Sequence, residues 1–303
     1  MHCAIPLDYL YILLVPKAFQ TCPHLAIYDF SQADIPSHHL CTLLLPDEDS
    51  DIGEEAPWYQ AHTGDRLRRA FLRRPVASTS MVVLTFYHIY SEDNSERGNH
   101  YLIPRTTLLA QIRAPKSRQT QTQLQTHSLS GGATRGSRVP VPAVPWADWG
   151  PQGCLRLSLQ CRQVHRACLM SFGSRFPLFI VDKEDPGKAF VYVFDINPLV
   201  ACHERQLLTT RHHPNPSISN AMSGDPAKGV TGMVVEDIEA VLPGLVDPDC
   251  SRIPYIAYRF QLPDVLMEWR EGQFIGRVAM GMTGFTIKMV GGEYEKAEQT
   301  WTV

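Results

Sequence analysis

The sequence predicts a mainly β protein, built of meandering antiparallel sheets in which consecutive strands pair locally, with a few short helices. Three observations carry that prediction. Apolar residues come in short runs bounded by Pro, Gly, Asp and Ser, with little helical periodicity. The run LRLSL (155–159) alternates, placing Leu155, Leu157 and Leu159 on one side and Arg156 and Ser158 on the other. The pair LFIV (178–181) and AFVYVF (189–194) is joined by DKEDPGK, whose Pro186 and Gly187 suit the two central positions of a type II turn.

Taken in order, the strand segments are YLYILLV (9–15), MVVLTFYHIY (81–90), LRLSL (155–159), LFIV, AFVYVF, TGMVVE (231–236), YIAYRF (255–260) and FTIKMV (285–290). In AFVYVF, Phe190, Tyr192 and Phe194 share one face, while Val191 and Val193 share the other. A strand apolar on both faces belongs inside, covered on both sides. Two helices are expected. TTLLAQI (106–112) has the length of two turns, and Asn197 followed by Pro198 reads as an N-cap with proline at N1, opening a helix through LVACHERQLL.

Between these lies PKSRQTQTQLQTHSLSGGATRGSRVPVPAVP (115–145), polar, then glycine-rich, then proline-rich. Such a stretch cannot offset the entropy of ordering by burial, so it reads as a disordered, low-complexity insertion. The chain therefore divides into a β-rich part (1–114), the insertion (115–145) and a second β-rich part (146–303), which together read as one domain. At the border, VPWADWGP (144–151) sets Trp146 and Trp149 among prolines. Its prolines and Gly150 suggest a turn. The indoles serve either as anchors for re-entry into the core or as an exposed aromatic recognition patch.

Composition narrows the function classes. The chain has 303 residues, 44% hydrophobic and 19% charged, with a net charge of -3. That is enough to bury a sizeable core, and it argues against wholesale nucleic-acid binding. Charge is uneven: DEDSDIGEE (47–55) is acidic, whereas 97–145 holds no acidic residue. DRLRRAFLRRP (65–75) gathers Arg66, Arg68, Arg69, Arg73 and Arg74 around Leu67 and Phe71. These arginines, with the basic stretch 97–138, suit either phosphate contacts or a solvated face, and no aromatic residues interleave as a base-stacking platform requires. The eight cysteines are scattered with no CxxC, as in a reduced cytoplasmic or nuclear protein. The apolar N-terminus lacks a basic leader region and is interrupted by Asp8, and no run approaches the roughly 20 residues of a membrane helix.

Motifs for chemistry are wanting. Cys154, Cys161, His165 and Cys168 cluster in sequence, but their spacing is not that of a zinc knuckle. His203 and Glu204 begin like a zincin motif, yet Leu207 stands where the second histidine belongs. The histidine pairs His38-His39 and His212-His213 read as exposed turns. GDPAKGVT (224–231) misplaces the P-loop lysine at Lys228. No enzyme, metal or cofactor is expected.

Four phrases, HYLIPRTTLLAQI, PWADWGP, VYVFDINPLVACHERQ and IPYIAYRF, occur in this order over about residues 55–290. Together they resemble the region downstream of the F-box in divergent basidiomycete fungal F-box-like proteins. The resemblance implies an irregular or incomplete propeller-like or meandering β domain whose role is protein interaction, as in substrate receptors. A regular propeller repeats about every 40–45 residues, and no such repeat is visible. A recognisable F-box is also missing, since LLLPDED (43–49) runs into acid and a turn. Docking to a Skp-type adaptor would then need a cryptic F-box-like surface. An N-terminal strand lacking its neighbour would leave an open, aggregation-prone edge. The candidate interaction residues are Trp146, Trp149, Arg66, Arg68, Arg69, Arg73 and Arg74, with an unidentified protein as partner and a nucleic-acid-binding module as the alternative.

Overall fold

A computed structural model describes residues 3–7, 10–15, 23–29, 38–46, 58–63, 80–89, 96–113, 143–160, 168–181, 188–211, 232–246, 251–262, 274–281, 284–290 and 298–302, and within them the short apolar runs are strands. The chain separates into two compact units, each discontinuous. One comprises residues 1–50 and 106–151, the other 51–105 and 152–303.

In the first unit, β1 (Cys3–Leu7), β2 (Leu10–Val15), β3 (His24–Asp29) and β4 (His38–Leu44) form an antiparallel meander. Ile12, Leu25, Ile27 and Leu43 are buried completely. Helix α1 (Arg105–Arg113) fulfils the expected helix and buries Leu108. Two expectations are corrected here. The insertion was to run to residue 145, but Ala143 and Val144 form β8, paired in parallel with Thr42 and Leu43 of β4. Prolines 140, 142 and 145 favour extended backbone while leaving the two residues between them with N–H groups to donate. The rest of that stretch, 115–142, lies outside the described residues.

The turn expected at 144–151 is instead helix α2 (Trp146–Gly153), begun by Asp148 N–H donating to the Pro145 carbonyl at 3.1 Å. Pro151 is tolerated because the carbonyl it cannot reach, four residues back, belongs to Ala147 in the exposed first turn.

The second unit contains three four-stranded sheets. The first runs β5 (Trp58–Thr63), β6 (Met81–Ile89), β7 (Glu96–Pro104), β9 (Leu155–Gln160). The second, central in packing, runs β11 (Arg175–Val181), β12 (Ala189–Asp195), β14 (Ile256–Gln261), β13 (Gly232–Val235). The third runs β10 (Cys168–Met170), β15 (Phe274–Met280), β16 (Gly284–Val290), β17 (Glu298–Thr302). All pairs are antiparallel except β10 with β15. The expected hairpin is β11–β12, with Val181 opposite Ala189; its turn, 182–187, lies outside the described residues.

Rings show how these sheets stack. Phe176, on one face of the central sheet, lies 5.3 Å from His100 of β7, while Phe260, on the other face, lies 5.5 Å from Phe285 of β16. The central sheet is therefore covered on both sides, and Val191, Val193 and Phe194 of β12 are buried as its two-sided apolar pattern requires. One apolar core runs through all three sheets. In the third sheet Val278, Met280, Phe285 and Ile287 point inward, and Arg277, Thr286 and Lys288 occupy the alternate, half-buried positions. The protein is thus mainly β, with small, largely antiparallel sheets and a few short helices. Each sheet of this unit has the four strands of a propeller blade, and among the described residues none closes into a barrel.

Candidate functional site

The end of the central sheet where β12 and β13 finish and β14 begins carries two helices, and the sequence explains both. Asp195, the last residue of β12, is buried and accepts two hydrogen bonds on one carboxylate oxygen. Ser174 Oγ donates at 2.7 Å and the Asn197 N–H at 2.9 Å. The Ile196 N–H donates to the Ser174 carbonyl at 3.1 Å, so the chain is fixed as it leaves the strand. Asn197 then caps α3 (Pro198–Arg211), its side-chain oxygen accepting from the Leu199 N–H at 3.1 Å, with Pro198 at the first helical position. The helix is the expected one, extended to Arg211. The Asp-Ile-Asn-Pro phrase is therefore a strand-to-helix corner.

After β13, Asp237 caps the short helix α4 (Ile238–Val241), accepting from the Glu239 and Ala240 N–H groups at 3.0 and 3.1 Å. Gly244 follows at φ 72°, a left-handed conformation that glycine adopts without strain, and its N–H donates to Glu239 Oε1 at 2.8 Å.

Between these helices lies a cleft of about 90 Å³, lined by Arg205 and Leu208 of α3, Val235 and Glu236 at the end of β13, Ile238 of α4 and Tyr255 ahead of β14. Small-molecule sites run from about 300 Å³ upward. This cleft has room for one side chain or a few waters. Arg205 Nη2 donates to the Tyr255 carbonyl at 3.5 Å. Burial raises the Tyr255 phenol above its ordinary value; Arg205 opposes the rise, and Glu239 and Asp237 add to it. Tyr258, one turn of the ladder along, is pushed up to about 12, first by burial and then by the carboxylates of Glu204 and Asp195, against Arg175.

On α3, β13 and α4, large apolar side chains outside the cleft lining face solvent. Leu199 is 79% exposed, Met233 52%, Leu207 39% and Val241 38%. On α3, Ala201 is buried and Leu208 half-buried, so Leu199 lies off the stripe that faces the protein. Met233 stands opposite Arg259 in the β13–β14 ladder, and that guanidinium sits 5.2 Å over the Phe190 ring. Among the described strands, none pairs with the outer edge of β13.

The residues singled out from sequence are placed differently. Trp149 is 1% exposed, and its indole N–H donates to the Leu44 carbonyl at 3.0 Å. It is a core anchor, which corrects its candidacy as an exposed recognition residue. Trp146 is half-buried, edge-on to Trp149 with centroids 5.0 Å apart, and packs so tightly over Gly150 that a Cβ there would overlap its ring. Arg66, Arg68, Arg69, Arg73 and Arg74 lie outside the described residues, as do 114–138 of the second basic segment, residues 224–231, His212 and His213. Of the sulfur-rich cluster, Cys154 is buried and Cys168 lies in β10, while Cys161 and His165 are outside the description. Among the described residues no three His, Cys, Asp or Glu side chains come together as a metal site would need.

His38 and His39 lie in strand β4, not in an exposed turn. His39 is held by stacking on Tyr28, its partner across the ladder, at 4.7 Å, and by Nε2 contacts to Thr42 Oγ1 and the Cys41 carbonyl at 3.1 and 3.2 Å. His203 is exposed, its Nδ1 3.9 Å from Glu204 Oε1. No helix among the described residues is long and apolar enough to cross a membrane. The exposed apolar residues of α3 were missed from sequence, where Leu199 and Leu207 are two helical leucines among several. Only their angular distance from Ala201 on a helical projection would have signalled exposure.

In comparisons with known proteins, no family model, no curated protein and no solved structure matches the chain.

Proposed function

We propose that the chain is a non-enzymatic protein-interaction domain of the substrate-receptor kind, as its resemblance to the region downstream of the F-box implies, and that it presents the α3–β13–α4 end of the central sheet to its partner. The observation that carries this reading is the set of solvent-facing Leu199, Leu207, Met233 and Val241 on α3, β13 and α4, beside which the cleft between these elements is too small for an ordinary small-molecule ligand. Exposed apolar side chains beside an arginine stacked on an aromatic ring have the composition of binding hot spots.

The test is quantitative capture from a native lysate by the tagged full chain, compared with the double variant Leu199→Asp, Met233→Asp and with a control at the exposed Thr106 of α1. Partners of this surface should drop about tenfold or more with the double variant and stay with the control, since 1.4 kcal/mol is a factor of ten. A partner set indifferent to both changes would refute the assignment of the surface. Recovery of a Skp-type adaptor in the same experiment would extend the reading to a ligase receptor.

A further inference from the structure

One row of residues crosses the central sheet from the core to the edge strand. Leu178 of β11, Tyr192 of β12, Arg259 of β14 and Met233 of β13 stand directly opposite one another in turn, so their side chains share a face. Leu178 and Tyr192 are buried, Arg259 is half-buried and Met233 is 52% exposed. Residues directly opposite in an antiparallel ladder have Cβ atoms about 4.5–5.5 Å apart, which brings the Met233 thioether within reach of the Arg259 guanidinium. That guanidinium lies 5.2 Å over the half-buried Phe190 ring, and among the described residues no carboxylate or carbonyl takes its N–H groups. Met233 also differs from the other methionines whose burial is described: Met81 is 0% and Met280 3% exposed, and Met170 is half-buried.

We propose that Met233 is a site of oxidation by hydrogen peroxide and that Arg259 holds the resulting sulfoxide. The thioether sulfur attacks one peroxide oxygen. An S–O bond forms as the O–O bond breaks, the proton on the transferred oxygen passes to the departing hydroxide, and water leaves. Sulfur gives up two electrons and the peroxide takes them. The thioether needs no activation, so access to the sulfur decides which methionine reacts. The product oxygen carries a strong negative dipole and accepts hydrogen bonds, and the charged donor opposite it is Arg259. A guanidinium presents its N–H groups in its own plane, so donation to the oxide is compatible with its contact on Phe190. The sulfoxide therefore stays in the ladder on the open side of β13 without burying an unsatisfied oxygen. This chemistry goes beyond the interaction reading and stands without it; where that reading holds, oxidation turns one of its four apolar side chains polar.

The experiment treats the native full chain with hydrogen peroxide in metal-free buffer and follows each methionine by peptide mapping. Met233 should gain an oxygen about tenfold faster than Met81 and Met280, and ahead of Met170, since susceptibility follows exposure. In concentrated urea the four rates should converge. Capture by Arg259 is read from a cycle of variants in urea unfolding, with Met233→Gln supplying a carbonyl oxygen in place of the sulfoxide oxygen. Met233→Gln should lower the folding equilibrium constant about fivefold more in an Arg259→Leu background than in the parent chain. Apolar Met233→Leu should show no such dependence on Arg259. Mapping needs no variant and decides the site even where Arg259→Leu does not fold. Oxidation of Met81, Met170 or Met280 ahead of Met233 overturns the proposal. So does a Met233→Gln effect of the same size with and without Arg259, which would mean an oxide left to solvent.

Discussion

Asp195 is the residue on which the corner into α3 turns, and its replacement separates two roles of one side chain. In Asp195→Ala both donors to the carboxylate oxygen, Ser174 Oγ at 2.7 Å and the Asn197 N–H at 2.9 Å, lose their acceptor. Hydrogen bonds to an ionised group contribute about 1.5–3 kcal/mol each, and orphaned buried donors add to the loss. Ser174 is nearly closed to solvent, while Asn197 is half-buried and recovers part of its loss from water. The expected cost is about 3–5 kcal/mol for Asp195→Ala, by the same range. Asp195→Asn keeps an acceptor oxygen in place and should cost only about 1 kcal/mol, and Ser174→Ala about 1–2 kcal/mol.

Urea unfolding gives these differences, and the Ser174→Ala, Asp195→Ala cycle should show a coupling of about 1–2 kcal/mol. A second observable follows the charge alone. The Tyr258 phenol is held at about 12 by burial first, then by Glu204 and Asp195. Asp195→Ala and Asp195→Asn should both lower it, read as an earlier onset of phenolate absorbance against a Tyr258→Phe reference. Stability then tracks the acceptor and titration tracks the charge. Equal destabilisation by Ala and Asn, or a Tyr258 onset unmoved by either, would refute this account of the corner.

Other consequences can be checked independently. Trp149→Phe should cost about 1–2 kcal/mol through the lost bond to the Leu44 carbonyl, and Trp149→Ala about 3–5 kcal/mol, by urea unfolding; near-neutral values would mean the indole is no anchor. In peptide-mapped alkylation of the native chain, exposed Cys202 should label well before buried Cys41 and Cys154, and faster labelling of Cys41 would contradict its burial. Burial raises the Cys41 thiol from 9.0 to about 11, so the folded state prefers it protonated. Its contribution to stability is complete below pH 9.0 and is lost as pH rises toward about 11, a slope that Cys41→Ala should reduce. His39 is shifted the other way, lowered from 6.5 by burial first, with the Cys41 carbonyl opposing and His24 adding. Its contribution is therefore present above pH 6.5 and lost as pH falls below it, so melting temperatures should decline there and decline less in His39→Gln. Single-stranded RNA should show no saturable binding at about 150 mM salt; a salt-sensitive complex would instead favour Arg66, Arg68, Arg69, Arg73 and Arg74 as phosphate contacts.

What could be read from sequence was what local pattern determines. The two-sided apolar strand β12, the alternation of β9 and the Asn197-Pro198 helix start need only their own residues and neighbours, and all three stand where expected. Strand β7 was passed over because ERGNH opens it with polar residues. Its Asn99 and His100 are buried nonetheless, the latter bonded to Thr85 across the ladder at 3.0 Å, and such pairing is invisible until strand partners are known. The parallel pairs β4–β8 and β10–β15 escaped for the same reason, since each joins segments far apart in sequence. At 146–153, prolines and glycine spoke for a turn, whereas burial of Trp149 and packing of Trp146 over Gly150 favour a helix. The exposed apolar surface of α3 depends on which leucines remain uncovered, a property of the finished packing.

The discontinuity of the first unit has a consequence for the order of events during synthesis. Strand β4 pairs with β8, and the Leu44 carbonyl receives its hydrogen bond from a tryptophan 105 residues later. At roughly 5–20 residues per second, the four-stranded meander waits on the order of ten seconds for its fifth strand and its indole anchor. During that interval residues 51–105, which belong to the other unit, are already being made. The first unit therefore closes only after a part of the second has been made. The closing of the long loop between β4 and β8 carries an entropic cost that local contacts do not repay in advance. Nascent chains stalled before residue 143 should accordingly present the outer edge of β4 to whatever strand or chaperone is nearest, making that edge the vulnerable moment in this protein's life.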